Sequence, residues 1–236
     1  MKSYLNAIKK GKKENRNVPS YLNLLFSFLR WGFYMLKARK PLNNSVPWLT
    51  FKAIDFLKKN LNKNMKVFEY GGGSSTIFFS ERVEELVTVE HNKEWFDNLK
   101  TILEKKENIK WEGHFIGPEK ISLSEKLQTE NPDHYFSEDA DYSSHSFKEY
   151  ASYIDKYPDY YFDVVLVDGR ARPSCLKHSI NKVKKGGLLI LDNAERPYYL
   201  SHFKPDMPDY ELVFDYYGPA PYVNHFTQTN IWRKLS

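Results

Sequence analysis

MKVFEYGGGSSTIFFS, residues 65–80, joins a short apolar run to three glycines and then to a second apolar run. A short apolar run that ends at glycine predicts a buried strand over 65–70. Gly71 and Gly73 can adopt backbone angles closed to other residues and let bare backbone approach a ligand. The hydroxyl residues that follow can cap a helix, which we predict over 75–83. Strand, glycine turn and helix in this order predict a ligand site at the strand's carboxyl end.

Strand and helix patterns alternate through the rest of the chain. Further strands are predicted over 85–90, 108–116, 161–168, 186–193, 210–218 and 226–235. Helices are predicted over 48–61, 92–106, 145–156, 173–183 and 195–203, with a Lys-Lys-Gly-Gly helix stop at 184–187. Alternation of this kind predicts an α/β fold, with a doubly wound, mostly parallel sheet covered on both faces. The two consecutive terminal strands predict a hairpin, so the last strand is expected to run antiparallel.

The amino-terminal part differs in composition from the rest. Pro41 and Pro47 bracket a linker, so we expect an arm over 1–47 and a catalytic domain over 48–236. Within the arm, residues 21–36 are the most apolar stretch, too short for a comfortable membrane span. At helical period one side of this stretch is polar: Asn23, Ser27, Arg30, Tyr34 and Lys37. The opposite side is apolar: Leu22, Leu25, Phe26, Leu29, Phe33 and Leu36.

Three interpretations of this apolar segment stay open. It is a helix packed on the domain, an interfacial membrane helix flanked by basic residues, or a signal peptide. The last is disfavoured because no small-residue cleavage site follows it. The interfacial alternative predicts contact between residues 1–40 and an anionic membrane surface.

The charge is concentrated at one end of the chain. The 236 residues include 35 Lys and Arg against 30 Asp and Glu, a net charge of +5. Residues 1–40 hold ten basic residues and one acidic residue, so residues 41–236 carry a net −4. A mildly acidic body argues against a nucleic-acid partner. One cysteine, Cys175, excludes a disulfide framework and fits a cytoplasmic protein, with peripheral membrane contact as the alternative.

Two carboxylates frame the glycine turn. Glu69 ends the first strand and Glu90 ends the second, 21 residues later, where an acid can accept the hydroxyls of an adenosine ribose. A dinucleotide site needs a third glycine at position 76, which is Thr76, and an acid before the turn is unfavourable near a pyrophosphate. A cationic sulfonium cofactor with an amino-acid tail suits these acids better. An NAD-dependent oxidoreductase on a similar sheet is the alternative.

With these features in order, the chain resembles the class I S-adenosylmethionine (SAM)-dependent methyltransferases over roughly residues 48–234. FEYGGGSST (68–76) resembles the family's glycine motif and VTVEHN (87–92) its ribose-binding acidic motif. YFDVVLVD (161–168) and GGLLILDN (186–193) resemble its fourth and fifth strands. The resemblance implies a Rossmann-like methyltransferase fold with seven strands, and SAM as the cofactor.

The resemblance also implies roles for single residues. Glu69, Gly71 and Gly73 would hold the methionine part of SAM, Glu90 the ribose, and His91 would lie beside the adenine. Ser75 stands where the family often has a third glycine, and we include it with the cofactor-binding residues. Asp168, at the end of the fourth strand, joins this set.

A metal site is a second expectation. Asp168, Asp192 and Asn193 end neighbouring strands and offer oxygen ligands of the kind Mg²⁺ prefers. This arrangement resembles the catechol-type and macrocin-type O-methyltransferases, in which a divalent ion lowers the pKa of the acceptor hydroxyl. The catechol-type lysine corresponds to Ala171 here. The alternative is that Asp168 only positions the cofactor and that Asp192 and Asn193 only cap a helix.

Basic side chains near the same edge are candidates for the acceptor. Arg170 and Arg172 can bind a carboxylate or phosphate, or else form surface ion pairs with Glu149 or Glu195. His225, in the loop between the last strands, is a candidate general base, although a structural role is the more common one.

The predicted activity is methyl transfer from SAM to a small-molecule or glycan-like acceptor, at oxygen, with assistance from a divalent metal ion as an open option. Asp168, Arg170 and His225 are the candidate catalytic residues. A membrane-associated, non-catalytic binding module is a further alternative, and homo-oligomer formation is left open.

Overall fold

The computed structural model describes residues 2–14, 16–18, 21–36, 45–106, 110–122, 127–203 and 209–236. Its helices are α1 (Lys2–Lys13), α2 (Tyr21–Leu36), α3 (Phe51–Asn60), α4 (Ser74–Ser80), α5 (Lys93–Leu103), α6 (Lys148–Ser152) and α7 (Arg172–Ser179). Its strands are β1 (Lys66–Tyr70), β2 (Glu85–Glu90), β3 (Trp111–Phe115), β4 (Glu119–Lys120), β5 (His145–Ser146), β6 (Phe162–Val167), β7 (Val183–Asp192), β8 (Tyr210–Pro219) and β9 (Phe226–Lys234).

Seven strands form the main sheet in the order β3-β2-β1-β6-β7-β9-β8. The pairs from β3 to β7 are parallel, and β9 runs antiparallel to both β7 and β8. The predicted doubly wound α/β fold with an antiparallel last strand is therefore confirmed. The order reverses at β1, which places a crevice at the carboxyl ends of β1 and its neighbours.

The central strands are apolar on both faces because helices cover both. Val67, Phe68 and Tyr70 of β1 are fully buried, and so are the apolar residues of β6. Val67 joins one core cluster with α3 and α4, whereas Phe68 and Tyr70 join a second with α6 and α7. Continuous apolar runs are typical of parallel strands covered in this way.

Several predicted boundaries are wrong. The helix predicted over 173–183 ends at Ser179, and the predicted helix stop at 184–187 belongs to β7. Lys184 bonds Asp163 at 2.9 Å there, and Gly186 has φ of +78°, so this segment enters the sheet through an irregular pairing. Only a 3₁₀ turn, Pro197–Tyr199, forms within the helix predicted over 195–203. The small β4–β5 sheet was not predicted.

The two amino-terminal helices pack against the edge of the sheet formed by β8 and β9. Tyr4 of α1 is buried among Phe28, Trp31 and Phe226, and its hydroxyl donates to the carbonyl of Leu24 at 2.9 Å. Of the predicted 41–47 linker, residues 41–44 lie outside the described residues, and the domain division stays a prediction. Among the helices described, none is long and apolar enough to cross a membrane.

The packing face of α2 differs from the one that the packed-helix interpretation implies. That interpretation places the apolar side that includes Leu25, Phe26 and Leu29 against the domain. These side chains are 59%, 71% and 65% exposed, whereas Leu24 and Trp31, about 100° or more away around the helix, are buried. Contacts with Tyr4 of α1 and with the sheet bury a second apolar face of α2, the one that includes Leu24 and Trp31.

Candidate active site

A cavity of about 770 Å³ opens at the carboxyl ends of β1, β2, β6 and β7. Its lining includes the glycine turn after β1, the loop after β2, the loop after β6 and the end of β7. It brings together the residues predicted from separate parts of the chain: Gly71, Gly73, Ser75, Glu90, His91, Asp168, Arg170, Asp192, Asn193 and His225. Glu69 does not line the cavity but lies buried behind the turn. The common location follows from parallel strands that end at one edge.

Close backbone packing shapes the glycine turn. Gly71 has φ of +90°, and a Cβ atom there would meet the Cα of Gly169 at 2.9 Å. Gly73 is different, because its φ of 178° is open to any residue and its Cβ would lie 3.8 Å from the nearest atom, on Trp95. The fold thus requires glycine at position 71, whereas the absence of a side chain at Gly73 only leaves room in the cavity.

Glu69 supports the turn from behind. Thr76 Oγ1 accepts the N–H of Gly73 at 2.8 Å and donates to Glu69 Oε2 at 2.5 Å. Thr88 donates to the same oxygen at 3.2 Å. Glu69 Oε1 is buried and makes no well-aligned hydrogen bond within the described residues, although Ser75 lies near it. Burial raises the pKa of Glu69 from 4.5 to about 8, against the effect of these hydroxyls.

Glu90 is held by backbone N–H groups. Its Oε2 accepts from Gly72 at 2.8 Å, and its Oε1 accepts from His91 at 2.9 Å and Asn92 at 2.7 Å. A carboxylate has about four acceptor positions, so one stays available for a ligand hydroxyl. The side chain is 4% exposed, and this small exposed part faces the cavity that it lines.

His91 and Arg170 connect the loops after β2 and β6. Arg170 Nε donates to His91 Nε2 at 3.3 Å, and Arg170 also pairs with Asp139 at 2.7 Å. His91 Nε2 is therefore the unprotonated nitrogen, and the buried Nδ1 lies 2.9 Å from Glu90 Oε1 without forming a well-aligned hydrogen bond. Asp139 replaces the ion-pair partners expected for Arg170 from the sequence. Tyr142 packs edge-on against His91, with ring centroids 5.4 Å apart.

Arg172 is a buried clamp rather than an acceptor-binding group. Its guanidinium donates to the backbone carbonyls of Asp168, Gly169 and Asp192, and to Asp168 Oδ1 at 3.1 Å. These hydrogen bonds thus join the ends of β6 and β7. Burial raises the pKa of Asp168 and of Asp192, and Arg172 opposes both shifts.

These contacts do not fit a resident divalent ion well. One oxygen of Asp168 accepts from Arg172, Asp192 Oδ1 accepts from Thr229 at 2.9 Å, and Asn193 donates to Thr227 at 2.6 Å. The guanidinium of Arg172 already supplies positive charge at the carboxylate of Asp168 and at the backbone carbonyl of Asp192. No group of three His, Cys, Asp or Glu residues in the described ranges can hold a metal ion. The metal set Asp168, Asp192 and Asn193 stays a prediction, and we assign no chemical step to a metal.

Two histidines and the cysteine lie at the rim of the cavity or away from it. His225 is exposed at the rim, with Asn224 as its neighbour at 3.4 Å. His114 lies on the edge strand β3 and pairs with Glu112, outside this cavity. Cys175 is buried, and burial raises the pKa of its thiol well above the ordinary value, so it is not a reactive nucleophile.

Aromatic and acidic residues of the site were missed from the sequence. Trp48, Trp95 and Tyr142 line the cavity, and so do Asp139 and Asp141. Trp95 Nε1 donates to the carbonyl of Gly72 at 2.6 Å and thereby holds the turn from outside. Trp95 stands three residues after the helix cap Asn92, which is a detectable signal. No local pattern marks the others.

Comparisons with known proteins agree with this architecture. No family model and no curated protein matches the chain. A Streptococcus mutans protein assigned as a methyltransferase, solved with S-adenosylhomocysteine (SAH), is 14% identical, with a TM-score of 0.51. The match covers 77% of this chain and 94% of that one. A methyltransferase-like protein from Silicibacter pomeroyi is 18% identical, with a TM-score of 0.51, covering 82% and 91%.

The chain has the Rossmann-like methyltransferase fold. At this level of identity the similarity establishes the fold alone, because one fold hosts many activities. Within the methyltransferase fold of this chain, the cavity lies at the switch point of strand order, where open α/β sheets bind ligands.

Proposed function

We propose that this protein is a SAM-dependent methyltransferase. The observation that carries the proposal is the glycine turn after β1, joined to Glu90 of β2 by the bond from Gly72 and open to a large cavity at Gly73. This arrangement offers a bare backbone surface and a carboxylate side by side. The SAH complex of the Streptococcus mutans protein, which has a similar fold, supports the assignment.

The charge of the cavity favours SAM over a dinucleotide. Its lining includes six carboxylates, namely Glu90, Glu94, Asp139, Asp141, Asp168 and Asp192, against three guanidiniums. A surplus of negative charge attracts a sulfonium and an ammonium and repels a pyrophosphate. Bound SAM supplies an electrophilic methyl group on a positively charged sulfur. Gly71 and Gly73 would border its methionine part, Glu90 would accept a ribose hydroxyl, and His91 would lie beside the adenine.

The cavity also has room for a small or glycan-like acceptor with a hydroxyl group. Asp168, Arg170 and His225 line the cavity, together with the exposed ring of Trp48. Arg170 would orient the acceptor, Asp168 would position it, and the exposed imidazole of His225 would take the hydroxyl proton during in-line transfer. No step requires a metal ion. Because the body is acidic and the rim carries Asp139 and Asp141, we do not expect a nucleic-acid acceptor.

The test is binding first and turnover second. In calorimetry, the full-length protein should bind SAH and not NAD⁺, and Gly73→Ala should weaken SAH binding without changing the melting temperature. Tight NAD⁺ binding with none for SAH would establish the oxidoreductase alternative instead. Labelled SAM incubated with fractionated small-molecule and glycan extracts then reports the acceptor. SAH binding without transfer to any fraction would favour the non-catalytic binding module.

A further inference from the structure

One face of α2 is apolar and exposed, although the helix is packed on the domain. Five large side chains on it are more than half exposed: Leu25 at 59%, Phe26 at 71%, Leu29 at 65%, Phe33 at 53% and Leu36 at 87%. At about 100° of rotation per residue they fall within an arc of about 100°. We call these five residues the α2 stripe. A soluble domain seldom exposes so many large apolar side chains to water on one helix face.

The inner face of the same helix is fully used by the fold. Leu24 and Trp31 are buried, and Trp31 Nε1 donates to the carbonyl of Val223 at 2.7 Å. Arg30, at the border of the stripe, pairs with Asp55 of α3 at 3.0 Å and lies over the ring of Phe51. These contacts fix how α2 is rotated, so the stripe faces away from the body.

Positive charge accompanies the stripe. The neighbouring helix α1 carries five exposed lysines, Lys2, Lys9, Lys10, Lys12 and Lys13. The chain then has no acidic residue from 15 to 54, a span that includes all of α2. An apolar helix face among basic residues fits the acyl-chain boundary of a bilayer with anionic headgroups.

We propose that α2 and α1 dock this protein on an anionic membrane surface, with the α2 stripe inserted at the headgroup boundary. A second copy of the chain is a poorer occupant, because pairing through this face would bring together two arms with the same positive charge. Docking through α2 would also orient the cavity. Trp31 of α2 bonds the carbonyl of Val223, and Val223 lines the cavity, so docking would hold that wall of the cavity close to the membrane.

The first experiment measures binding of the full-length protein to vesicles by co-sedimentation. The protein should bind vesicles with about 30% phosphatidylserine in phosphatidylcholine and bind pure phosphatidylcholine at least about tenfold more weakly. Phe26→Ser with Leu29→Ser should reduce binding at least about tenfold and leave the melting temperature unchanged, because both side chains are exposed.

A matched pair of lysine variants tests the charge. Replacing Lys9, Lys10 and Lys13 of α1 by Ala should weaken binding to the anionic vesicles at least about tenfold. The control replaces three exposed lysines at the other edge of the sheet, Lys93, Lys100 and Lys105, by Ala and should leave binding unchanged. Equal losses in both triple variants would show a non-specific charge effect and overturn the proposal.

A fluorescent label then locates the contact. Cys175 is fully buried, so Phe26→Cys provides an exposed thiol for an environment-sensitive dye. Its emission should shift to the blue on anionic vesicles, whereas the same dye on Thr101→Cys of α5 should not respond. Absence of vesicle binding by the unmodified protein overturns the proposal. A dimer in solution that dissociates when Phe26→Ser and Leu29→Ser are introduced would also overturn the proposal. In that case the α2 stripe binds a second copy of the chain and not a membrane.

Discussion

The carboxylate of Glu90 accepts the backbone N–H of Gly72 at 2.8 Å, and this bond joins the ends of two neighbouring parallel strands. The same carboxylate also accepts the N–H groups of His91 and Asn92. Glu90 therefore shapes the glycine turn as well as offering an acceptor position to a ligand. Structure and proposed binding depend on one side chain, which makes its replacement informative.

Glu90→Gln should weaken SAH binding about tenfold to a hundredfold, since hydrogen bonds to a charged acceptor contribute about 1.5–3 kcal/mol. Calorimetry measures this directly. Glu94→Gln is the matched control, because Glu94 lines the same cavity on an exposed helix turn and should change affinity little. Equal affinity of the Glu90→Gln variant and the native protein would contradict the role of Glu90.

Two glycine variants separate folding from binding. Gly71→Ala should destabilise the protein by about 2 kcal/mol in urea unfolding, because φ of +90° and a 2.9 Å approach to Gly169 leave no place for a methyl group. Gly73→Ala should retain native stability and lose SAH affinity about tenfold. Native affinity of Gly73→Ala would show that the cofactor does not approach the turn there.

Glu69 should make stability depend on pH. Its pKa rises from 4.5 to about 8 in the folded protein, so between these values folding takes up a proton. This contribution is complete below about pH 4.5 and is lost as the pH rises through about 8. Glu69→Gln, which imitates the neutral acid, should be more stable than the native protein near pH 8 by about 1 kcal/mol or more. Urea unfolding of both proteins at pH 5 and 8 measures the difference. A constant difference across this range would refute the assigned pKa.

The two arginines after β6 should differ in their effect on folding. Arg172→Met leaves the carboxylate of Asp168 and the carbonyls of Gly169 and Asp192 without their donor, so we expect a loss of about 3 kcal/mol. Arg170→Met removes a partly exposed pair with Asp139 and should cost less than about 1 kcal/mol. Thermal and urea unfolding compare the two. Similar losses would mean that Arg172 is not a clamp between β6 and β7.

Removal of divalent ions should leave methyl transfer unchanged. Arg172 already supplies the positive charge between Asp168 and Asp192, so activity in EDTA should equal activity with added Mg²⁺. Labelled methyl transfer to the acceptor that the fractionation experiment reports is the measurement. Activity lost in EDTA and restored by Mg²⁺ would establish the metal site predicted from the sequence.

The local sequence pattern was sufficient to predict a site residue when that residue stands at the end of a strand. The glycine turn, Glu90 and Asp168 were all found from the sequence because each stands at the end of a buried apolar run. Trp48, Asp139 and Tyr142 were not found, because they reach the cavity from segments without regular spacing. The role of Arg172 was also hidden, since its partners are backbone carbonyls that no sequence pattern records.

The sequence by itself determined the α/β fold, the place of the glycine turn and the carboxylates beside it. Hydrophobic period and glycine positions act over a few residues, and parallel strands then bring their ends to one edge. Only the tertiary structure decided which apolar face of α2 is buried, because both faces satisfy the helical period. The choice came from Tyr4 and the edge of the sheet, which cover Leu24 and Trp31 and leave Phe26 and Leu29 exposed.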